Sequence, residues 1–241
     1  MSPEHRDIKK PPLGIIMLDH ELTRPPGDPG NPGTFAFLTL RKVLPGVSLE
    51  RILQGDPAIV DPLIAAGREL MDQGAWAITT GCGFFVLFQA EVAQALTIPV
   101  LLSSLLQIPL VQAGLGQSGR VGVLTAHSGR LTPAHLKAAG VKEPESVTIA
   151  GLEDQPHFRE GVLTKRGRYD AGAMEKEIKA TAQALILKDP KVQALVLECT
   201  NLPPFARAIQ AEVGLPVFDV TTLINYAYQA RFRSDFERKG V

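Results

Sequence analysis

The chain has 241 residues, 45% of them hydrophobic, and its 25 Lys and Arg are matched by 25 Asp and Glu. That length and apolar content suffice for a sizeable core, as one large α/β unit or two smaller lobes. The balanced charge excludes the broad field that favours nucleic acid or an anionic membrane surface. The opening MSPEHRDIKKPP is charged and proline-containing, opposite in character to a signal core, and no later apolar run approaches a membrane-spanning length. A cytoplasmic protein with a small-molecule partner, and neither nucleic acid nor membrane, is therefore expected.

In chain order, short runs rich in Val, Ile and Leu predict strands over 13–18, 76–80, 100–103, 120–125, 146–150, 193–197 and 216–219. Between them, helical spacing predicts helices over 59–73, 84–96, 129–139, 172–188 and 205–213. In the fourth of these, Met174, Ile178, Ala182 and Leu185 recur on one face while Glu175, Lys176, Glu177 and Lys179 take the other. Strands alternating with helices point to an α/β fold of parallel sheets flanked by helices.

The chain also repeats itself. AWAITTGCGF…IPV and ALVLECTNLP…LPV share an order of features, and 17 residues separate Cys82 from Pro99 and Cys199 from Pro216. GIIML at 14–18 matches GVLTA at 122–126 as a glycine-led strand opening each half. The expectation is two similar lobes, 12–117 and 118–220, with the active site in the cleft between them. A hinge is expected near GLGQSGR at 114–120, and a C-terminal helix over 221–241 is expected to pack on the first lobe.

Cys82 and Cys199 are the only cysteines, too few and too far apart for a disulfide framework, and no CxxC spacing suggests structural zinc. Each is predicted at the carboxyl end of a strand, where open parallel sheets bind ligands, and just before a helix. A helix N-terminus stabilises an anion and lowers a thiol's pKa, so thiolate is expected near neutral pH. A lone free cysteine usually acts as a small buried hydrophobe. Two at matching positions, one on each side of a cleft, are instead arranged to take a proton from one face of a carbon and return one to the other.

At these residues the chain resembles the aspartate/glutamate racemase superfamily. The marks are GIIML with the following Asp19, TTGCGF, VGVLTAHSG, LECTNLPPF and PVFDVTTL. The resemblance implies Cys82 and Cys199 as acid and base, with no cofactor, neither pyridoxal phosphate nor metal. It also implies substrate contacts from Thr80 and Gly83, from Thr200 and Asn201, and from Thr125 and Ser128. The leading expectation is thus a cofactor-independent racemase or epimerase, an isomerase acting beside a carboxylate or carbonyl of a small molecule.

There are departures from the amino-acid racemases. Cys82-Gly83-Phe84 stands where they commonly have Cys-Asn-Thr, and Asn201 stands where they carry Glu or His. Glu198 stands where glycine is common; it could raise a thiol's pKa by repulsion, but strand alternation predicts that it points away from the sulfur. The superfamily also includes arylmalonate decarboxylases, which keep the second cysteine without the first, and cis-trans isomerases with a nucleophilic cysteine. A lyase or isomerase on the same cleft, and a non-catalytic ligand binder, are the alternatives.

The loop TRPPGDPGNPGTF at 23–35 is a candidate wall or lid, with Arg24 set to pair a carboxylate and Asn31 and Thr34 to add neutral hydrogen bonds. The stretch 151–170, carrying Arg159, Lys165, Arg166 and Arg168, reads as a long loop that covers the cleft, meets another subunit or stays solvated. A homo-oligomer is compatible with it. His127 reads as structural, His5 and His20 have no partner at metal-ligand spacing, and the tail RFRSDFERKG reads as a solvated helix end.

Overall fold

The computed structural model describes residues 10–19, 22–116, 119–164 and 169–234. His5, His20, Lys165, Arg166, Arg168, hinge residues Gln117 and Ser118, and the tail from 235 onward lie outside the described residues.

The first half runs β1 (Leu13–Leu18), β2 (Thr39–Leu44), α1 (Leu49–Leu53), α2 (Val60–Asp72), β3 (Ile78–Thr80), α3 (Gln89–Ala95), β4 (Val100–Leu101) and α4 (Ile108–Gly114). The second runs β5 (Arg120–Thr125), α5 (Pro133–Ala138), β6 (Val147–Gly151), the single turn α6 (Pro156–Phe158), α7 (Ala171–Lys188), β7 (Val192–Leu197), α8 (Ala206–Val213) and β8 (Val217–Phe218), and the last helix, α9 (Val220–Arg231), follows. The strands form two four-stranded sheets, ordered β2-β1-β3-β4 and β6-β5-β7-β8, with every pairing parallel. The two orders are the same, so the repeat in sequence is a repeat in topology.

Alternation along each central strand divides the core. In β1, Ile16 and Leu18 face Leu63 and Leu70 of α2, whereas Leu13, Ile15 and Met17 face Trp76, Phe35 and the α9 residues Val220 and Ile224. In β7, Leu195 and Leu197 pack with Ile178, Leu185 and Ile209 of α7 and α8. Ala194 and Val196, on the other face, share a core cluster with Phe84, Phe85 and Leu105 from the first half. The second sheet is therefore covered on one side by pieces of the first half, and the first sheet by the helix that follows the second half. Hydrogen bonds bind the same seam: Ser104 Oγ donates to the Leu197 carbonyl at 2.7 Å, and Gln107 Nε2 to the Asp219 carbonyl at 2.8 Å.

Periodicity does not reveal β2. It is an edge strand whose Arg41 and Val43 are exposed, and its neighbours read neither as a buried run nor as a clean alternation. The segment after Cys82 begins as a 3₁₀ helix, Gly83–Phe88, and α3 starts only at Gln89. Part of the stretch 151–170 is ordered too, as α6 and a π-helical turn over Arg159–Leu163. Among the described residues no helix is long and apolar enough to cross a membrane, and no group of three His, Cys, Asp or Glu is placed to hold a metal ion.

Candidate active site

Each sheet reverses its strand order beside its first strand, so the connections leaving the carboxyl ends of β1 and β3, and likewise of β5 and β7, part in opposite directions and leave a crevice. The two crevices open into one cleft of about 320 Å³. Leu18 at the end of β1, Gly81 and Cys82 after β3, Ala126 after β5, and Glu198 and Cys199 after β7 all border it. Arg24, Glu50, Phe84, Val162, Leu163 and Asn201 complete much of the wall. The π-helical turn in the 151–170 stretch thus reaches the cleft through Val162 and Leu163.

The turns after β3 and β7 touch one another. Thr200 Oγ1 donates to the Gly81 carbonyl at 2.7 Å, and Thr80 Oγ1 lies 2.9 Å from the Cys82 carbonyl and 2.7 Å from that of Leu102. Both sulfurs are held alike, each accepting from the backbone N–H two residues on, Phe84 for Cys82 and Asn201 for Cys199. Cys199 gains a second donor, Asn201 Nδ2 at 3.5 Å.

The thiols are not the low-pKa groups expected from helix N-termini. Burial, and then the nearby Glu198 carboxylate, push Cys199 up to about 12 and Cys82 higher still. The physical reason is what the thiols meet: burial removes the water that would solvate a thiolate, the Glu198 carboxylate repels it, and the α-helices themselves begin only at Gln89 and Ala206, well beyond each sulfur. Cys82 keeps some surface open to the cleft and Cys199 is buried; neither is in a disulfide.

Glu198 is the largest departure from the sequence expectation. Alternation does turn its side chain away from the face of Leu197, but that opposite face is where the first lobe's Cys82-Gly83 turn packs, so the carboxyl enters the cleft. It is 1% exposed, accepts from Thr125 Oγ1 at 2.7 Å through Oε2, and leaves Oε1 buried without a hydrogen-bond partner. Burial raises its pKa to about 7, against the lowering effect of the Thr125 hydroxyl. A Cβ on Gly83 would lie 2.3 Å from both the Glu198 carbonyl oxygen and Oε1. Glycine after the first cysteine is thus the space the carboxyl occupies, and the two departures from the racemase pattern are a single structural fact. Gly83→Ala is expected to displace Glu198, costing about 1–3 kcal/mol of stability by overpacking and about 10²-fold in any activity that needs the carboxyl in place; urea unfolding and initial rates measured on one preparation check it.

The structure brings Cys82, Gly83, Cys199, Thr200 and Asn201 to the cleft wall and sets Thr80 and Thr125 behind it. Asn31 and Thr34 are not on that wall. Asn31 donates to the Arg24 carbonyl at 2.7 Å, and Thr34 accepts from the Gly27 N–H at 3.0 Å and donates to the Asp28 carbonyl, so both build the loop. Arg24 does border the cleft, with Nη1 3.1 Å from the buried Asp28 carboxylate. Ser128 is also off the wall: its N–H and hydroxyl both go to Glu153, which His127 Nδ1 approaches at 3.7 Å. Their polar groups are short enough to be spent locally, a choice made by loop geometry that residue type does not disclose.

Three relatives are informative. Over 220 residues and 88% of this chain, the sequence is 32% identical to a dimethylsulfoniopropionate lyase of Durusdinium sp. clade D, 72% of which is covered. The chain belongs to the dimethylsulfoniopropionate lyase family. It is 30% identical to dimethylsulfoniopropionate lyase 5 and 32% identical to dimethylsulfoniopropionate lyase 3 of Emiliania huxleyi, with 95% and 89% of this chain aligned. It spans only 48% and 58% of the length of those two family members. No family model matches the chain.

The fold is that of the aspartate/glutamate racemase superfamily. An unliganded arylmalonate decarboxylase, 18% identical, aligns with a TM-score of 0.60 over 96% of this chain and 97% of its own. A glutamate racemase of Bacillus anthracis, 14% identical, aligns at 0.55 over 92% and 83%. An aspartate racemase homologue of Pyrococcus horikoshii, 16% identical, aligns at 0.52 over 91% and 100%.

Proposed function

We propose that this chain is a lyase that cleaves dimethylsulfoniopropionate, or a close β-sulfonium carboxylate, by elimination, with a cysteine as base. The observation that carries the reading is that both thiols, from equivalent strand ends, open on one small cleft in a chain whose relatives are named for that activity. This places elimination ahead of racemisation, the leading expectation from the sequence.

The chemistry suits the site. In such a substrate a carboxylate activates C2 and a sulfonium sits on C3. The Cys199 thiolate takes the C2 proton, forming S–H; the C2–H electron pair becomes the C2–C3 double bond; the C3–S bond breaks with its pair on sulfur, and dimethyl sulfide and acrylate leave. Cys199 is assigned as base because Asn201 donates to its sulfur from both backbone and side chain, whereas Cys82 has one such donor. A buried thiol is a poor acid alone. A fixed positive charge brought into the cleft favours the thiolate and offsets the desolvation that opposes it. Phe84, Val162 and Leu163 offer the sulfonium methyl groups an apolar and aromatic surface, and Arg24 stands on the wall for the carboxylate.

The test is incubation of the purified protein with dimethylsulfoniopropionate, following dimethyl sulfide in the headspace and acrylate in solution. Equal amounts of both products are expected. The equivalence of the two cysteines favours a second reading, two-base inversion; exchange of solvent deuterium into a chiral carboxylate with no dimethyl sulfide would establish it instead.

A further inference from the structure

Beside the thiols, the cleft holds a buried carboxyl that the superfamily resemblance does not supply. We propose that Glu198 is the proton acceptor that generates the working thiolate, the Cys199 proton passing to Glu198 Oε1 as substrate binds. The inference rests on the reading of the cleft as a thiol-based elimination site.

Four observations carry it. Glu198 borders the cleft immediately before Cys199 in the chain and lies against Gly83, next to Cys82. It is only 1% exposed, so while the cleft is occupied its carboxyl exchanges protons with bulk water poorly. One oxygen is fixed by Thr125 while the other, Oε1, is buried with no hydrogen-bond partner among the described residues, which leaves it free to accept a proton. Finally, its charge acts on both sulfurs.

The other ionisable groups facing this space are Cys82 and Cys199 themselves, with Arg24 and Glu50 on the wall and Asp28 behind Arg24. Among the three groups at the centre, Glu198 is the only one whose charge changes near neutral pH. The step balances: the thiol S–H bond breaks, an O–H bond forms on Oε1, and the single negative charge moves from oxygen to sulfur. A sulfonium in the cleft keeps that charge compensated. After elimination the thiol holds the substrate's proton and Glu198 releases the other to solvent as product leaves.

The experiment compares wild type with Glu198→Gln, Glu198→Asp and Thr125→Val in two ways. Turnover of dimethylsulfoniopropionate is followed from pH 5 to 9, and iodoacetamide alkylation of Cys199 is followed by peptide mass in the absence of substrate. Wild-type kcat should fall below an acidic limb near pH 7. Glu198→Gln should lower kcat at pH 8 by at least about 10²-fold and abolish that limb. Glu198→Asp should keep a limb, and Thr125→Val should move it to higher pH by removing the hydrogen bond that favours the carboxylate. Above pH 8, Glu198→Gln should also alkylate faster than wild type, since a like charge beside the sulfur has gone. A wild-type limb retained in Glu198→Gln, or unchanged alkylation, would overturn the inference. If wild type makes no dimethyl sulfide, the lyase reading fails by itself, and the alkylation comparison still decides whether Glu198 controls the thiol.

Discussion

On the proposed elimination, Cys199→Ser is expected to lower dimethyl sulfide release by about 10³- to 10⁴-fold and Cys82→Ser by about 10²-fold, the range for loss of a general base and of a weaker partner. Serine nearly matches cysteine in volume, so the cleft stays shaped and the unfolding transition should move little. A serine hydroxyl is a far weaker acid, and the carboxyl that can ionise a thiol cannot ionise it. The asymmetry follows from the donors: Asn201 supplies two to Cys199, and Phe84 supplies one to Cys82. Headspace measurement of dimethyl sulfide, with thermal unfolding of each variant, checks both. Wild-type turnover in Cys199→Ser would sink the thiol mechanism, and equal losses in both variants would return attention to two-base inversion. Slow alkylation of the free protein would not by itself indicate lost chemistry, because burial suppresses thiolate at both positions.

The second large effect is on stability. Glu198 holds its proton in the folded protein up to about pH 7, against an ordinary value of 4.5. Below about pH 4.5 both folded and unfolded chains are protonated at this group, and it costs nothing. Between 4.5 and 7 the folded protein retains a proton that the unfolded chain releases, so stability falls as pH rises; above 7 the full penalty, about 3 kcal/mol, is present. Glu198→Gln removes it. The variant should be about 2–3 kcal/mol more stable than wild type at pH 8.5 and gain nothing from this source at pH 4, as urea unfolding at the two pH values will report. His135 acts in the opposite direction. Burial pushes it down to about 4, so the stability it contributes is present above about pH 6.5 and is lost as pH falls towards 4. Glu198 thus favours the folded state at lower pH and His135 at higher pH, and Glu198→Gln should move the pH of greatest stability upward. The same carboxyl is expected to lower stability and make turnover possible, so the substitution gains one and loses the other.

Much of this was legible beforehand. The strands around Ile15, Val123 and Val196 could be read because a central strand of a parallel sheet is buried on both faces and becomes a continuous apolar run. The cysteine spacing exposed the repeat, since both lobes build the same strand-turn-helix unit. That Thr200 and Asn201 would lie beside the cleft could be read from their adjacency to Cys199. Less could be seen where short polar side chains had a choice of partner. Asn31, Thr34 and Ser128 look like ligand-binding residues by type, but each meets a backbone group or carboxylate of its own neighbourhood first.

The sequence by itself determined the fold class, the two-lobe repeat and the two thiols, because these rest on periodicity and spacing along one chain. Only the tertiary structure decided what surrounds the thiols. The acidity of Cys82 and Cys199 depends on atoms contributed by both lobes, and Glu198 becomes a neighbour of Gly83 only when the two sheet edges close on each other. Burial and Coulomb interaction depend on distance through space, which strand alternation specifies only as a direction.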